Sequence, residues 1–155
     1  MDHMSELIIT GVFGLRSSRP NFVGVAGESE IQLRNPQRVE KILSITGWPR
    51  LQPGTANLEV GEEAAEKLLA LEPEWVEDGS TVVYPPGLQH IPLDRIAYLY
   101  FRGIAKRAGK TQEVLIRRAK KPAVVGRIEL FAPISLTTYF ALTEGKRLEV
   151  KINVP

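Results

Sequence analysis

The chain has no cysteine among its 155 residues, which excludes disulfides, thiolate metal centres and a cysteine nucleophile. Such a composition fits a reducing compartment, so a cytoplasmic location is the expectation. Histidine is nearly as scarce, with two in all. Met1-Asp2-His3-Met4 reads as a remnant of cloning ahead of one domain spanning 5–155, which leaves His90 alone. One histidine supports neither a histidine metal cluster nor a Ser-His-Asp triad. Asp94, four residues on in a proline-flanked loop, reads as its surface hydrogen-bond partner. No apolar run approaches the length of a membrane span and the N-terminus lacks a signal-peptide pattern, so no membrane partner is expected. Leu15 to Arg19 lacks the lysine and spacing of a P-loop.

What is present is ordinary for a globular domain: 43% apolar and 25% charged residues, in a chain long enough to bury a core without staples. The net charge of +2 conceals an uneven distribution. Lys106, Arg107, Lys110, Arg117, Arg118, Lys120, Lys121 and Arg127 crowd one region, while Glu62, Glu63, Glu66, Glu72, Glu74, Glu77 and Asp78 crowd another. The basic region is either a face that attracts phosphates of a nucleotide or nucleic acid, or a solvated hairpin whose edge charges discourage aggregation.

Along the chain, Glu6 to Val12 reads as a strand, broken by Gly14 and the run Arg16-Ser17-Ser18-Arg19-Pro20-Asn21. Phe22 to Val25 resumes as a strand. Asn35-Pro36 is a helix start with Asn as cap; Val39, Ile42, Leu43 and Ile45 recur at helical spacing and Gly47 stops the helix. Gly61 to Leu71 is a second helix with acidic residues in its first turn. Thr81 to Tyr84 reads as a short strand, followed by a Pro85-Pro86-Gly87 turn. Ile96 to Ile104 and the return through Glu113 to Arg117 form a hairpin with its tip at Ala108-Gly109-Lys110. Arg127 to Phe131 is a strand, Ser135 caps a short helix to Leu142, and Arg147 to Val154 is the last strand. A weak echo, Leu-Glu-Val at 58–60 and 148–150, suits a pseudo-symmetric barrel. Many short strands with few helices point to a mainly β fold, a small barrel carrying short helices.

Two places carry chemistry. Pro53-Gly54 turns into Thr55-Ala56-Asn57-Leu58-Glu59-Val60, and the two-residue repeat of a strand sets Thr55 and Asn57 on one face. Two neutral oxygens side by side make a half-site for a hard cation such as Mg²⁺. The alternative is that Thr55 merely suits a strand and Asn57 bonds to a nearby turn. Glu129, taken by itself, reads as a strand-end residue paired with Arg127 or left in water. Trp48, Trp75, Tyr98 and Tyr100 are read as packing aromatics rather than a stacking platform.

Three segments then carry a resemblance: Leu7-Ile8-Ile9-Thr10-Gly11-Val12, Glu40-Lys41-Ile42-Leu43 with Gly54-Thr55-Ala56-Asn57-Leu58, and Ile128-Glu129-Leu130-Phe131-Ala132-Pro133-Ile134-Ser135-Leu136. In this order the chain resembles the archaeal CTP-dependent riboflavin kinases, six-stranded cradle-loop β-barrels that convert riboflavin to FMN. The resemblance implies Mg²⁺ held by Thr55 and Asn57, as in the Thr-Ala-Asn motif of the unrelated ATP-dependent riboflavin kinases. It also implies Glu129 at the ribityl or phosphate end of the flavin as catalytic and substrate-binding residue. The nucleoside triphosphate, CTP favoured, would be held by Gly11, Gly14, Leu15, Arg16, Ser17, Ser18 and Arg19 on one side and by Ile134, Ser135, Leu136 and Thr137 on the other. The chain departs from the family's Gly-x-Gly-x-Gly-type loop: Gly14-Leu15-Arg16-Ser17-Ser18-Arg19 has one glycine and two arginines, which can grip phosphate oxygens in place of backbone amides. The family's flavin-contacting threonine falls here near Lys121 and Pro122, and the segment Pro85 to Ile104 has no counterpart. Two other readings are a nucleotide- or flavin-binding barrel without transfer, and a nucleic-acid-binding barrel using the basic hairpin.

Overall fold

The structure, a computed structural model, describes residues 5–14, 28–83, 97–120 and 126–154. Strands β1 (Ser5–Phe13) and β7 (Arg147–Val154) show why a barrel forms. In both, apolar residues are buried at alternate positions, Ile9 and Phe13 in one, Leu148, Val150 and Ile152 in the other, while Glu6, Thr10, Arg147 and Glu149 face out. The other strands are β2 (Ala56–Glu59), β3 (Trp75–Asp78), β4 (Ala97–Arg107), β5 (Lys110–Ala119) and β6 (Arg127–Phe131). All pairings are antiparallel, in the order β3-β4-β5-β6-β2-β1-β7, and β4 also pairs with β7. The result is a closed six-stranded barrel with β3 as an added strand, as the alternation of short strands predicts.

Closure depends on β4, the longest strand. Its first half pairs with β3 and its second half with β7, along the same edge, while β5 runs along the other. Gly103 sits where β7 joins: a Cβ there would lie 2.5 Å from the Lys151 carbonyl oxygen and 2.6 Å from Ile116 Cδ1. Only glycine lets the backbones approach this closely. The two strands with the Leu-Glu-Val echo flank β1 on either side, Leu58 opposite Phe13 and Leu148 opposite Gly11.

Among the described residues are four short helices: α1 (Glu28–Arg34), α2 (Pro36–Thr46), α3 (Glu62–Leu68) and α4 (Leu136–Tyr139). Leu68 of α3 and Leu136 of α4 enter the barrel core beside Leu58, Leu130 and Ile128. Ile42 of α2 packs with Trp48, Tyr100, Leu115 and Phe131 in a second cluster on the outer face of β4, β5 and β6. Gly47 closes α2 in the left-handed conformation (φ 76°), its N–H bonded to the Leu43 carbonyl, and Ser135 accepts from Thr138 N at the start of α4, both as expected.

Three elements differ from expectation. Thr81 to Val83 is not a strand. Asp78 Oδ1 accepts from the N–H and hydroxyl of Ser80, and the Thr81 hydroxyl bonds the Asp78 carbonyl. These local bonds fold Gly79–Thr81 into a 3-10 turn, and Trp75, stacked on Tyr100 at 4.5 Å between centroids, draws the strand to Trp75–Asp78 instead. Asn35 does not cap α2. Its Nδ2 bonds the carbonyls of Ile31 and Val83, both at 2.7 Å, and its Oδ1 accepts from Val83 N at 2.7 Å, binding the α1–α2 joint to the segment after β3. Helix α1 itself is unforeseen, because its buried face is Glu28, Ile31 and Gln32, not an apolar stripe. The strand expected at Phe22 to Val25, the Pro85-Pro86-Gly87 turn, His90 and Asp94 lie outside the described residues. No described helix is long and apolar enough to cross a membrane.

Candidate functional site

The turn at Pro53-Gly54, with Gly54 at φ 88°, brings the chain into β2, and Gln52 N bonds the Ala132 carbonyl at 2.9 Å. That bond fastens the entrance of β2 to the exit of β6. Between them opens a cleft of about 150 Å³. Its floor includes Ala56, Leu130, Ala132 and Leu136, all but buried parts of the barrel core, and its rim carries the hydroxyls of Thr55, Ser135 and Thr137. Ser135 Oγ lies 3.0 Å from Thr137 Oγ1, so the two hydroxyls are linked to one another. Thr55 and the whole run Ile134, Ser135, Leu136 and Thr137 therefore share one cleft.

Asn57 lies one alternation further along β2, outside the cleft lining. Its backbone carbonyl accepts from Gly14 N at 3.1 Å, which sets the end of β1 against the Thr-x-Asn strand. Its side-chain Oδ1 is buried and has no hydrogen-bond partner among the described residues. A buried acceptor left bare costs free energy unless a donor or cation meets it. Hence the donor set fits a hard cation: a buried amide oxygen with no partner, and a threonine hydroxyl two residues away on the same strand entrance. Gly11 is elsewhere, facing inward from the middle of β1, where a Cβ would come within 2.9 Å of Leu58 Cβ. Leu15, Arg16, Ser17, Ser18, Arg19, Lys121 and Pro122 lie outside the described residues.

Glu129 stands opposite Asn57 in the β2–β6 pairing and opposite Arg117 in the β5–β6 pairing. The row continues through Tyr100 on β4 to Trp75 on β3. Directly opposed residues present their side chains on one face, so the row runs across the outer surface of the barrel, beneath α1 and α2. Arg117 grips Glu129 Oε2 with Nε at 2.7 Å and also with Nη2. Its Nη1 forms an ion pair with Glu28 of α1 at 2.8 Å. Arg38 of α2 holds both Glu28 oxygens through Nη1 at 2.9 Å and pairs bidentately with Glu77 at 2.8 Å. The Tyr100 hydroxyl donates to Glu77 at 2.8 Å.

Burial sets the electrostatics of this network. By itself it pushes the Glu28 carboxyl up, but the guanidinium groups of Arg117 and Arg38 outweigh it and hold the carboxyl below its ordinary value. Burial likewise works against a charged Arg117, and the carboxylates of Glu129 and Glu28 reverse the balance and hold its pKa above the usual guanidinium value. Tyr100 is raised chiefly by burial, so its hydroxyl stays protonated as a donor.

The sequence reading paired Glu129 with Arg127 or water; Arg117 grips it, while the Arg127 guanidinium, 3.5 Å from Glu59, also feels the Glu129 charge. The basic hairpin is also divided by the fold. Arg117 and Arg118 are buried on opposite faces of β5, Arg118 pairing with Glu66 of α3, and Arg107 and Lys110 donate to the carbonyls of Phe140 and Tyr139 at the end of α4. The aromatics pack as expected: Tyr98 lies under Arg38 and Arg117, and Trp48 Nε1 donates to Glu113. Glu28 and Arg38 escaped the sequence reading altogether, and Glu77 entered it only as one of a run of acidic residues. Compared with protein-family models and with curated proteins, the chain matches none.

Proposed function

We propose that the chain is a Mg²⁺-dependent phosphotransferase, moving the terminal phosphoryl group of a nucleoside triphosphate, CTP favoured, to the ribityl 5'-hydroxyl of riboflavin to give FMN. One observation carries this reading: Thr55 and Ile134 to Thr137, the two segments on which the riboflavin-kinase resemblance most depends, line a single cleft. Thr55 and Asn57 would hold the cation, which neutralises charge on the nucleotide phosphates. The rim hydroxyls and the backbone of Ile134 to Thr137 would hold the nucleoside. The acceptor hydroxyl attacks the terminal phosphorus, its proton passes to the Glu129 carboxylate, and the bond to the nucleoside diphosphate breaks.

The test is FMN formation from riboflavin with CTP, ATP or GTP and Mg²⁺, alongside the thermal midpoint with each ligand. A ligand that binds only the folded chain raises the midpoint. Asn57→Ala is expected to abolish the Mg²⁺–CTP shift and FMN formation while leaving the stability of the unliganded protein within about 1 kcal/mol, because the oxygen removed makes no hydrogen bond among the described residues. No midpoint shift with any of these ligands would sink the proposal.

A second reading has an observation of its own. Glu129 is already engaged by Arg117, which suits a barrel that binds flavin or nucleotide without transferring phosphate. A midpoint raised by riboflavin or CTP, with no turnover, selects it.

A further inference from the structure

We propose that Arg117 is a positioning residue for Glu129, and that Glu28 ties this position to the docking of α1. The inference rests on the reading in which Glu129 takes the proton of the acceptor hydroxyl. Arg117 spends Nε and Nη2 on the same oxygen, Glu129 Oε2. Both bonds fall on one oxygen, so in this reading the proton of the acceptor hydroxyl passes to the other, Oε1. The Glu129 side chain is 24% exposed and that of Arg117 6%, so a buried anchor holds a carboxylate that reaches solvent.

The anchor is itself fixed from two sides. The Arg117 guanidinium lies 5.0 Å from the centroid of the Tyr98 ring and 4.9 Å from that of Phe131. Its third nitrogen is paired with Glu28, the first residue of α1, and Glu28 is held in turn by Arg38. A planar fork with three nitrogens can meet two carboxylates at once; a lysine ammonium at the same place is a single point charge and cannot reproduce the grip. The orientation of Glu129 is thereby made dependent on α1, which reaches it by way of Arg117.

The experiment is steady-state FMN formation by wild type, Arg117→Lys, Glu129→Gln and their double variant, with Glu28→Gln as a milder break that leaves the Arg117–Glu129 pair in place. Arg117→Lys is expected to lower kcat on the order of 100-fold, since misplacing a reacting group by an ångström has that effect, with KM for both substrates within about 2-fold. Added to Glu129→Gln it is expected to cost nothing more, because no base is left to position. Equal losses in both backgrounds would reduce Arg117 to a structural residue and overturn the proposal. The NMR signal of the Arg117 Nε–H gives a readout independent of turnover and is expected to move in Glu129→Gln and, less, in Glu28→Gln. A wild-type protein that forms no FMN overturns the phosphotransferase reading. The Nε–H signal then decides the positioning claim alone: movement in both variants supports it, and an unmoved signal overturns it.

Discussion

Inside the barrel, Leu58, Ile116, Ile128, Leu130, Val150 and Ile152 are hidden from water in an entirely apolar cluster. Beneath α1 and α2, on the other side of the same strands, Glu28, Arg38, Glu77 and Arg117 are hidden almost as completely. The two regions teach different things about what holds a surface together. Apolar burial is non-directional and tolerates any shape that fills the space. A buried ion pair compensates its desolvation only when every partner is in place, so it specifies which element docks and in what orientation. The barrel interior accounts for the fold, and the ionic layer accounts for the seating of α1 and α2 on it.

Arg38→Met breaks the comparison most severely. It leaves Glu28 and Glu77 buried without their main partner, and urea unfolding is expected to show a loss of about 3–5 kcal/mol. The same measurement repeated across pH sharpens the point. The folded-state pKa of Glu28 lies below the ordinary carboxylate value of 4.5. A lowered folded value means that its stabilisation is complete above that pH and lost as pH falls through the folded value. The gap between wild type and Arg38→Met should therefore narrow on acidification below about pH 4.5. Leu130→Ala, on the interior side, is expected to cost about 3 kcal/mol, with a gap to wild type that does not change across the same range. A gap that narrows equally for both variants would mean that the ionic layer contributes no acid sensitivity of its own. Smallest is Arg34→Ala, which removes the exposed partner of Glu30 in α1, paired at 3.3 Å. About 0.3–0.5 kcal/mol is expected, screened away by salt, because water already solvates both charges.

How much was legible differs between the same two regions. The alternation in β1, β4, β5 and β7 and the apolar spacing of α2 are local properties of consecutive residues, and they reproduce the barrel and its main helix. Thr55 and Ile134 to Thr137 were legible as separate motifs; that they line one cleft was not. The ionic layer was not legible. Glu28 on α1, Arg38 on α2, Glu77 on β3 and Arg117 on β5 each look like an ordinary surface charge in its own neighbourhood. The same blindness turned Arg117 and Arg118 into members of a basic face and made Asn35 a helix cap.

By itself the sequence determined that this chain forms a barrel of short strands with a helix starting at Pro36 and a Thr-x-Asn strand entrance, because periodicity, turn residues and caps act over a few residues. Only the tertiary structure decided that β4 divides one edge between β3 and β7, that Gly14 meets Asn57, and that Glu129 is gripped by Arg117. Those outcomes depend on which distant residues meet once the sheet closes, and on whether a charge finds its counter-charge out of reach of water.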